Sequence, residues 1–363
     1  MNEVLKYQGQ WVTGKPQISN ASRVCYDFSD SDKISPILKI GVMPYLRESD
    51  GDAQDASICE PEESQWVLFF SGDDIVDRFQ NKLNPFPLNA ARDFPFSSII
   101  TPNNSGLYGP HAYNIFYIEA ETLSLCYAVV NYEFGYKHAA KWVGIVRLGT
   151  VPSVSPLSVA TISADEYWLL LLDNTNTLAA LQFKGEIQGK SFEYYPLISD
   201  GEPSADLSES SILVHGTHIA VTIQQRILVG KITLSPGFDV PVLDQAIVTE
   251  TFSGLMPAFN ASGNALYYLE PGDADSTDTT KVKNHVWVFQ NGANYSANTN
   301  HAYSHGYKTL KLGPDNIIYG TTNEFDSLLV VSELDDSAHT TLIFEVSGGG
   351  ALTFGNNQIE FSV

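Results

Sequence analysis

The stretch Asp165-Glu166-Tyr167-Trp168-Leu169-Leu170-Leu171-Leu172-Asp173-Asn174-Thr175-Asn176-Thr177-Leu178-Ala179-Ala180-Leu181-Gln182-Phe183 decides how the chain is read. Glu166 to Leu172 is an almost unbroken apolar run bounded by polar residues, which fits a strand buried on both faces. Asp173 to Asn176 is a turn by composition, and Thr177 to Phe183 is a second apolar run. Upstream, Pro156 to Ser163 reads as an inner strand; downstream, Ser191 to Ile198 reads as an outer one. Four strands are thus packed into about fifty residues.

The pattern recurs. A polar or turn pair followed by an apolar or alternating run is found at Ser22, Ser64, Tyr113, Glu166, Thr217, Asn264 and Asn316. The spacing is about fifty residues, the period of strand repeats that stack radially into a propeller. The fifth repeat predicts strands at Ser211 to Val214, Thr217 to Ile223, Ile227 to Thr233 and Val240 to Val248, with Gln224-Gln225 as a tight hairpin turn. The sixth places Asn264 to Glu270 and Asn284 to Gln290 on either side of a polar loop, and the seventh runs from Tyr307 to Val346. Ala351 to Phe354 and Gln358 to Val363 remain as half a blade. An unpaired sheet edge in a ring leaves backbone groups unsatisfied, so Leu5 to Val12 and Arg23 to Phe28 are expected to complete that sheet.

The expected fold is therefore all-β, a β-propeller of seven four-stranded blades over residues 1–363, closed by pairing of the N- and C-terminal strands. Six blades is the alternative. It follows if Tyr45-Leu46, an acidic loop and Trp66 match Tyr268-Leu269, an acidic loop and Trp287, which would make Trp66 open a third strand. In blade length and ring closure the chain resembles the seven-bladed propellers over nearly all of its length. The resemblance is architectural, since the WD dipeptide, the kelch double glycine, the sialidase Asp box and the tryptophan-rich lectin repeats are missing.

Composition agrees: 18 Tyr and 19 Phe, with many Val, Ile and Thr, lie in short runs broken by 27 Gly and 18 Pro. Gly72 to Lys82 is the one segment whose apolar spacing fits a helix, an irregular connection being the other reading. The net charge of −22 repels nucleic-acid phosphates and anionic lipid, so neither is an expected partner. The start of the chain lacks the basic and apolar segments of a signal peptide, and its longest apolar run is far below a membrane span. The expectation is a soluble chain without membrane insertion, cytoplasmic or exported without a classical signal peptide. Cys25, Cys59 and Cys126 are an odd, scattered set that reads as small buried hydrophobes, although a Cys25 to Cys59 bridge stays open.

No nucleophile elbow, zinc helix or phosphate loop is present. Asp50 to Asp55 and Asp273 to Asp278 share a D-x-D-x-x-D spacing, and Asp273, Asp275 and Asp278 are the candidate ligands for Ca²⁺. Without the glycine and distal glutamate of an EF-hand, a solvated acidic loop is the competing reading, and no cofactor is expected otherwise. Asn291 to Tyr307 combines amides, imidazoles and phenols as binding loops do, which nominates Asn294, Tyr295, His301, Tyr303 and His305 as ligand-binding residues. The expected function is a non-enzymatic module that recognises a glycan or protein through loops on one propeller face. A hydrolase or lyase working at the central channel is the first alternative, and a structural subunit of an assembly the second.

Overall fold

A computed structural model describes residues 10–13, 24–27, 37–40, 56–59, 66–70, 72–77, 79, 81–91, 97–103, 106–108, 111–132, 140–163, 166–173, 177–184, 186–187, 193–196, 207, 210–232, 250–253, 255–260, 262–269, 284–288, 293–296, 307–312, 318–322, 326–331 and 340–346. Among them every regular element is a strand, and the 27 strands form seven antiparallel sheets. In chain order these are β1 (Gln10–Thr13), β2 (Val24–Asp27) and β3 (Ile37–Ile40); then β4 (Ala56–Cys59), β5 (Trp66–Phe70) and β6 (Ile75–Asp77). The third sheet is β7 (Ser98–Asn103), β8 (Ala112–Ile118), β9 (Ser124–Tyr132) and β10 (Ala140–Thr150). The fourth is β11 (Leu157–Ser163), β12 (Glu166–Leu172) and β13 (Thr177–Lys184), with β14 (Glu186–Ile187) and β15 (Glu193–Pro196) both on β13. The fifth is β16 (Ser211–His215), β17 (His218–Ile223), β18 (Arg226–Lys231) and β19 (Glu250–Ser253). The sixth is β20 (Leu255–Phe259), β21 (Ala265–Leu269), β22 (Asn284–Val288) and β23 (Ala293–Ser296); the seventh is β24 (Tyr307–Leu312), β25 (Ile318–Thr322), β26 (Asp326–Val331) and β27 (Thr340–Val346).

The sequence repeat falls at the same place in each sheet. Its seven positions lie at the start of β2, β5, β8, β12, β17, β21 and β25, the second strand every time. Trp66 opens the second described strand of its sheet, whereas Trp287 lies in the third described strand of its own. The first strands contact one another in sequence order, β1 to β4, β4 to β7, β7 to β11, β11 to β16, β16 to β20 and β20 to β24. Each sheet therefore starts from a shared inner row and runs outward.

Strand β12 shows why the apolar run needs two buried faces. Tyr167, Leu169 and Leu171 join a core with Phe116, Tyr127 and Phe183, while Trp168, Leu170 and Leu172 join a second core with Ile212, Ile219 and Val221. Side chains alternate across a strand, so one run of six residues serves two neighbouring sheets. Each fully buried large apolar side chain contributes about 2 kcal/mol.

The helical reading of Gly72 to Lys82 is corrected. Ile75–Asp77 is a strand paired with β5, and the Asp77 carboxylate then accepts hydrogen bonds from the backbone N–H of Phe79 at 2.9 Å and of Asn81 at 2.8 Å. An aspartate that binds its own backbone in this way offers the chain a turn in place of a helix. The outer strand of the fifth sheet also differs from expectation: it is β19 at Glu250–Ser253, and residues 240–248 lie outside the described residues. The C-terminal half blade at 351–363 lies outside them as well. No helix among the described residues is long and apolar enough to cross a membrane.

The Gln224-Gln225 hairpin is tight, as expected, with φ of 49° and 61° at its two central residues. Both are left-handed, the conformation of a type I′ turn, in which Asn-Gly is preferred. Replacing the pair with Asn-Gly is expected to stabilise the protein by about 1 kcal/mol, read as a rise in Tm.

Candidate functional site

Of the ligand-binding residues nominated from sequence, the structure describes Asn294 and Tyr295. Asn294 and Tyr295 belong to β23, the fourth strand of the sixth sheet, where Asn294 is opposite Trp287 and Tyr295 opposite Val286. The loop expected over Asn291 to Tyr307 is thus corrected at Ala293–Ser296, because these residues continue the ladder of β22. His301, Tyr303 and His305 lie outside the described residues, as do Asp273, Asp275 and Asp278. Cys126 is fully buried and free, and burial pushes its thiol up to about 11, which suits a packing role.

A polar constellation that the sequence did not single out forms where the fifth and sixth sheets meet. His215 and His218 flank the Gly216-Thr217 turn and are directly opposite each other; Lys231 is opposite His218 on its other side. Residues directly opposite in an antiparallel ladder share a face, so the two imidazoles and the ammonium form one row. That row faces the sixth sheet. The His215 ring centroid is 5.7 Å from that of Phe259 and the His218 centroid 6.5 Å, each ring tilted by about 35° (interplanar angles 35° and 34°). Beside Phe259 is the turn from Asn260 to Asn264, where Gly263 has φ +66° and the His215 ring occupies the space a Cβ would need.

The turn is held by its own polar groups. Asn260 accepts from the N–H of Ala265 through Oδ1 at 3.1 Å, and its Nδ2 donates to Asn264 Oδ1 at 2.7 Å. Ser262 Oγ also donates to Asn264 Oδ1, at 2.8 Å. Two donors fill the lone pairs of that carbonyl oxygen, which fixes the carboxamide and leaves its Nδ2 to face outward from an exposed residue. The turns that follow the first strands of both sheets meet here, so they open at the same end of the inner row.

Burial, Lys231 and His215 together push the pKa of His218 below the ordinary imidazole value. The folded chain therefore prefers neutral His218. Its contribution to stability is present above the unfolded-state pKa of about 6.5 and is lost as pH falls through that value toward the folded one. His218→Gln is expected to flatten the decline of the urea midpoint between about pH 7.5 and pH 5. An unchanged slope would assign that decline to other groups.

A second polar group is sealed in the core. Tyr167 Oη lies 2.8 Å from Thr101 Oγ1 and accepts from Asn114 Nδ2 at 3.2 Å, while Asn103 Nδ2 donates to Asn114 Oδ1 at 3.0 Å. All four residues are buried, so this network ties the third sheet to the fourth and has no route to a ligand.

No family model matches the chain, and no curated protein matches it in sequence. Among solved structures it is similar to the periplasmic gluconolactonase of Pseudomonas aeruginosa, with a TM-score of 0.51 and 11% identity over 95% of this chain and 99% of that one. It also matches the WD40 domain of SCAP from fission yeast, with a TM-score of 0.49 and 8% identity over 95% of this chain and 86% of that one. The SapL1 lectin in complex with alpha methyl fucoside gives 0.43 and 10%, over 95% and 99%. The architecture is that of a β-propeller. At these identities the likeness concerns the fold alone, and propellers carry unrelated functions, so function has to be argued from the site. Within the propeller, the constellation between the fifth and sixth sheets is a polar cluster built on two adjoining turns and open to solvent at Asn264 and Lys231.

Proposed function

We propose that the chain is a single seven-bladed propeller that acts as a non-enzymatic binding module, recognising a glycan or a protein through the turns at one end of the ring. The seven sheets, each entered at its second strand by the sequence repeat, support the seven-blade count. The first sheet has three described strands, which suits closure by a C-terminal strand from 351–363 beside it. The observation that carries the binding role is the row of His215, His218 and Lys231 on one side of the seam between two sheets, met at His215 by Gly263 of the turn that carries Asn264. Directed hydrogen-bonding groups on rigid turns are what a recognition surface needs, because little ordering entropy is lost on binding.

A glycan array read in parallel with an affinity capture tests the proposal, using wild type and Asn264→Asp. The substitution keeps the Oδ1 acceptor that holds the turn and removes the outward Nδ2 donor. The expected result is a ligand bound by wild type and weakened at least about tenfold by Asn264→Asp, the loss of one well-made hydrogen bond to the ligand. A ligand bound equally by both proteins places recognition elsewhere and overturns the site.

A further inference from the structure

We propose that the seam between the fifth and sixth sheets takes the carboxylate of an acidic saccharide. The inference rests on the binding-module reading and names the ligand class for that site. Along the seam His215, His218 and Lys231 follow in that order, each opposite the next, and the Asn260–Asn264 turn meets His215 through Gly263, the neighbour of Asn264. Successive members of the ladder are about 5 Å apart, so the row is long enough to meet one sugar ring with its substituents.

The row is rich in donors. Asn264 has its carbonyl oxygen occupied by Asn260 and Ser262 and offers Nδ2, and Lys231 has an ammonium and no acceptor. A ligand complementary to such a row is rich in acceptors and carries negative charge. The net charge of −22 does not exclude it, since fields beyond about 8 Å are screened at physiological ionic strength while direct contacts are not.

A saccharide fits better than an acidic peptide. Peptides gain affinity by adding a strand to an open sheet edge, whereas β17, which carries His218 in the middle of the row, is paired on both sides. Recognition here has to run through side-chain donors, which suit hydroxyl and carboxylate oxygens.

The proposal carries a pH dependence. Among the described residues, the charged and titratable groups acting on His218 are Lys231 from β18 and His215 from β16; the facing turn and β20 bring Phe259, Asn260 and Gly263, none of which titrates. A bound carboxylate favours the imidazolium form, so binding takes up protons and affinity rises as pH falls.

Calorimetric titrations at pH 8 and pH 6 with trigalacturonate and sialyllactose, beside trigalactose, lactose and polyglutamate, test the inference. The expected result is binding of at least one acidic saccharide, at least about tenfold weaker binding of its neutral counterpart, and tighter binding at pH 6 than at pH 8. Lys231→Glu, an exposed position whose folding is checked by circular dichroism, is expected to weaken the acidic ligand by more than about tenfold. Equal binding of acidic and neutral saccharides, lost in Asn264→Asp, overturns the carboxylate and leaves the binding module standing. Binding of polyglutamate alone overturns the saccharide and also leaves the module standing. No binding of any probe overturns the inference; if the array and capture then return ligands indifferent to Asn264→Asp, the site falls with it, and if they return none, the module does.

Discussion

Tyr167→Ala is expected to cost about 4 kcal/mol, a large share of the roughly 5–15 kcal/mol by which folded proteins are stable. The Tyr167 ring stacks on Phe183 with centroids 4.7 Å apart and an interplanar angle of 13°, and it meets Phe116 edge-on at 6.3 Å. Its removal leaves a cavity between the third and fourth sheets and strands the buried Thr101 hydroxyl and Asn114 carboxamide that its own hydroxyl satisfies. Tyr167→Phe separates the two contributions. It keeps the stack and loses only the hydroxyl, for an expected cost of about 1–3 kcal/mol. Urea denaturation of the three proteins reads both values. Equal midpoints for wild type and Tyr167→Phe would mean that the network contributes nothing to holding the sheets together.

Gly263→Ala is expected to destabilise by about 2–4 kcal/mol, from overpacking together with a left-handed non-glycine residue. A Cβ at that position would lie 2.8 Å from His215 Nε2 and closer still to Cδ2, and the φ of +66° is one that side chains with a Cβ avoid. The imidazole has to move for the chain to accept the methyl group. The substitution therefore links stability to the site: the His215 ring should lose its place beside Phe259, and ligand affinity should fall together with the melting temperature. A tolerated alanine with unchanged affinity would show that the contact between the two turns is not needed for recognition.

The fold was legible because its signal is periodic. In β12 alternate residues must serve two cores, which demands the unbroken Tyr167 to Leu172 run that stands out in the sequence. The expected strands of the fourth repeat agree with β11 to β13 to within about two residues, the ordinary uncertainty of strand ends, and the seventh repeat, expected from Tyr307 to Val346, spans β24 to β27. Gly72 to Lys82 misled because Ile75, Val76 and Phe79 fit a helical spacing, yet Asp77 draws the backbone into a turn and Phe79 is left 53% exposed. The site was far less legible. His215 and His218 are two of eight histidines scattered through the sequence, and nothing local shows that a two-residue turn sets them face to face or that Gly263, some fifty residues on, supplies the space for one of them. The sequence signal that existed was the pairing of a His-Gly-Thr-His turn with an Asn-Ala-Ser-Gly-Asn turn one repeat later. Amide-rich and imidazole-rich composition points to Asn291 to Tyr307, of which Ala293–Ser296 is strand β23 and 297–306 lie outside the described residues.

The central claim is that ligand docks on the seam between the fifth and sixth sheets. Its most direct test follows the imidazole resonances of the histidines by NMR while the protein is titrated with the ligand that the array or capture returns. The account predicts that His215 and His218 shift along one saturating curve while His111, exposed on the third sheet, stays still. Saturable binding that leaves His215 and His218 unmoved would contradict it.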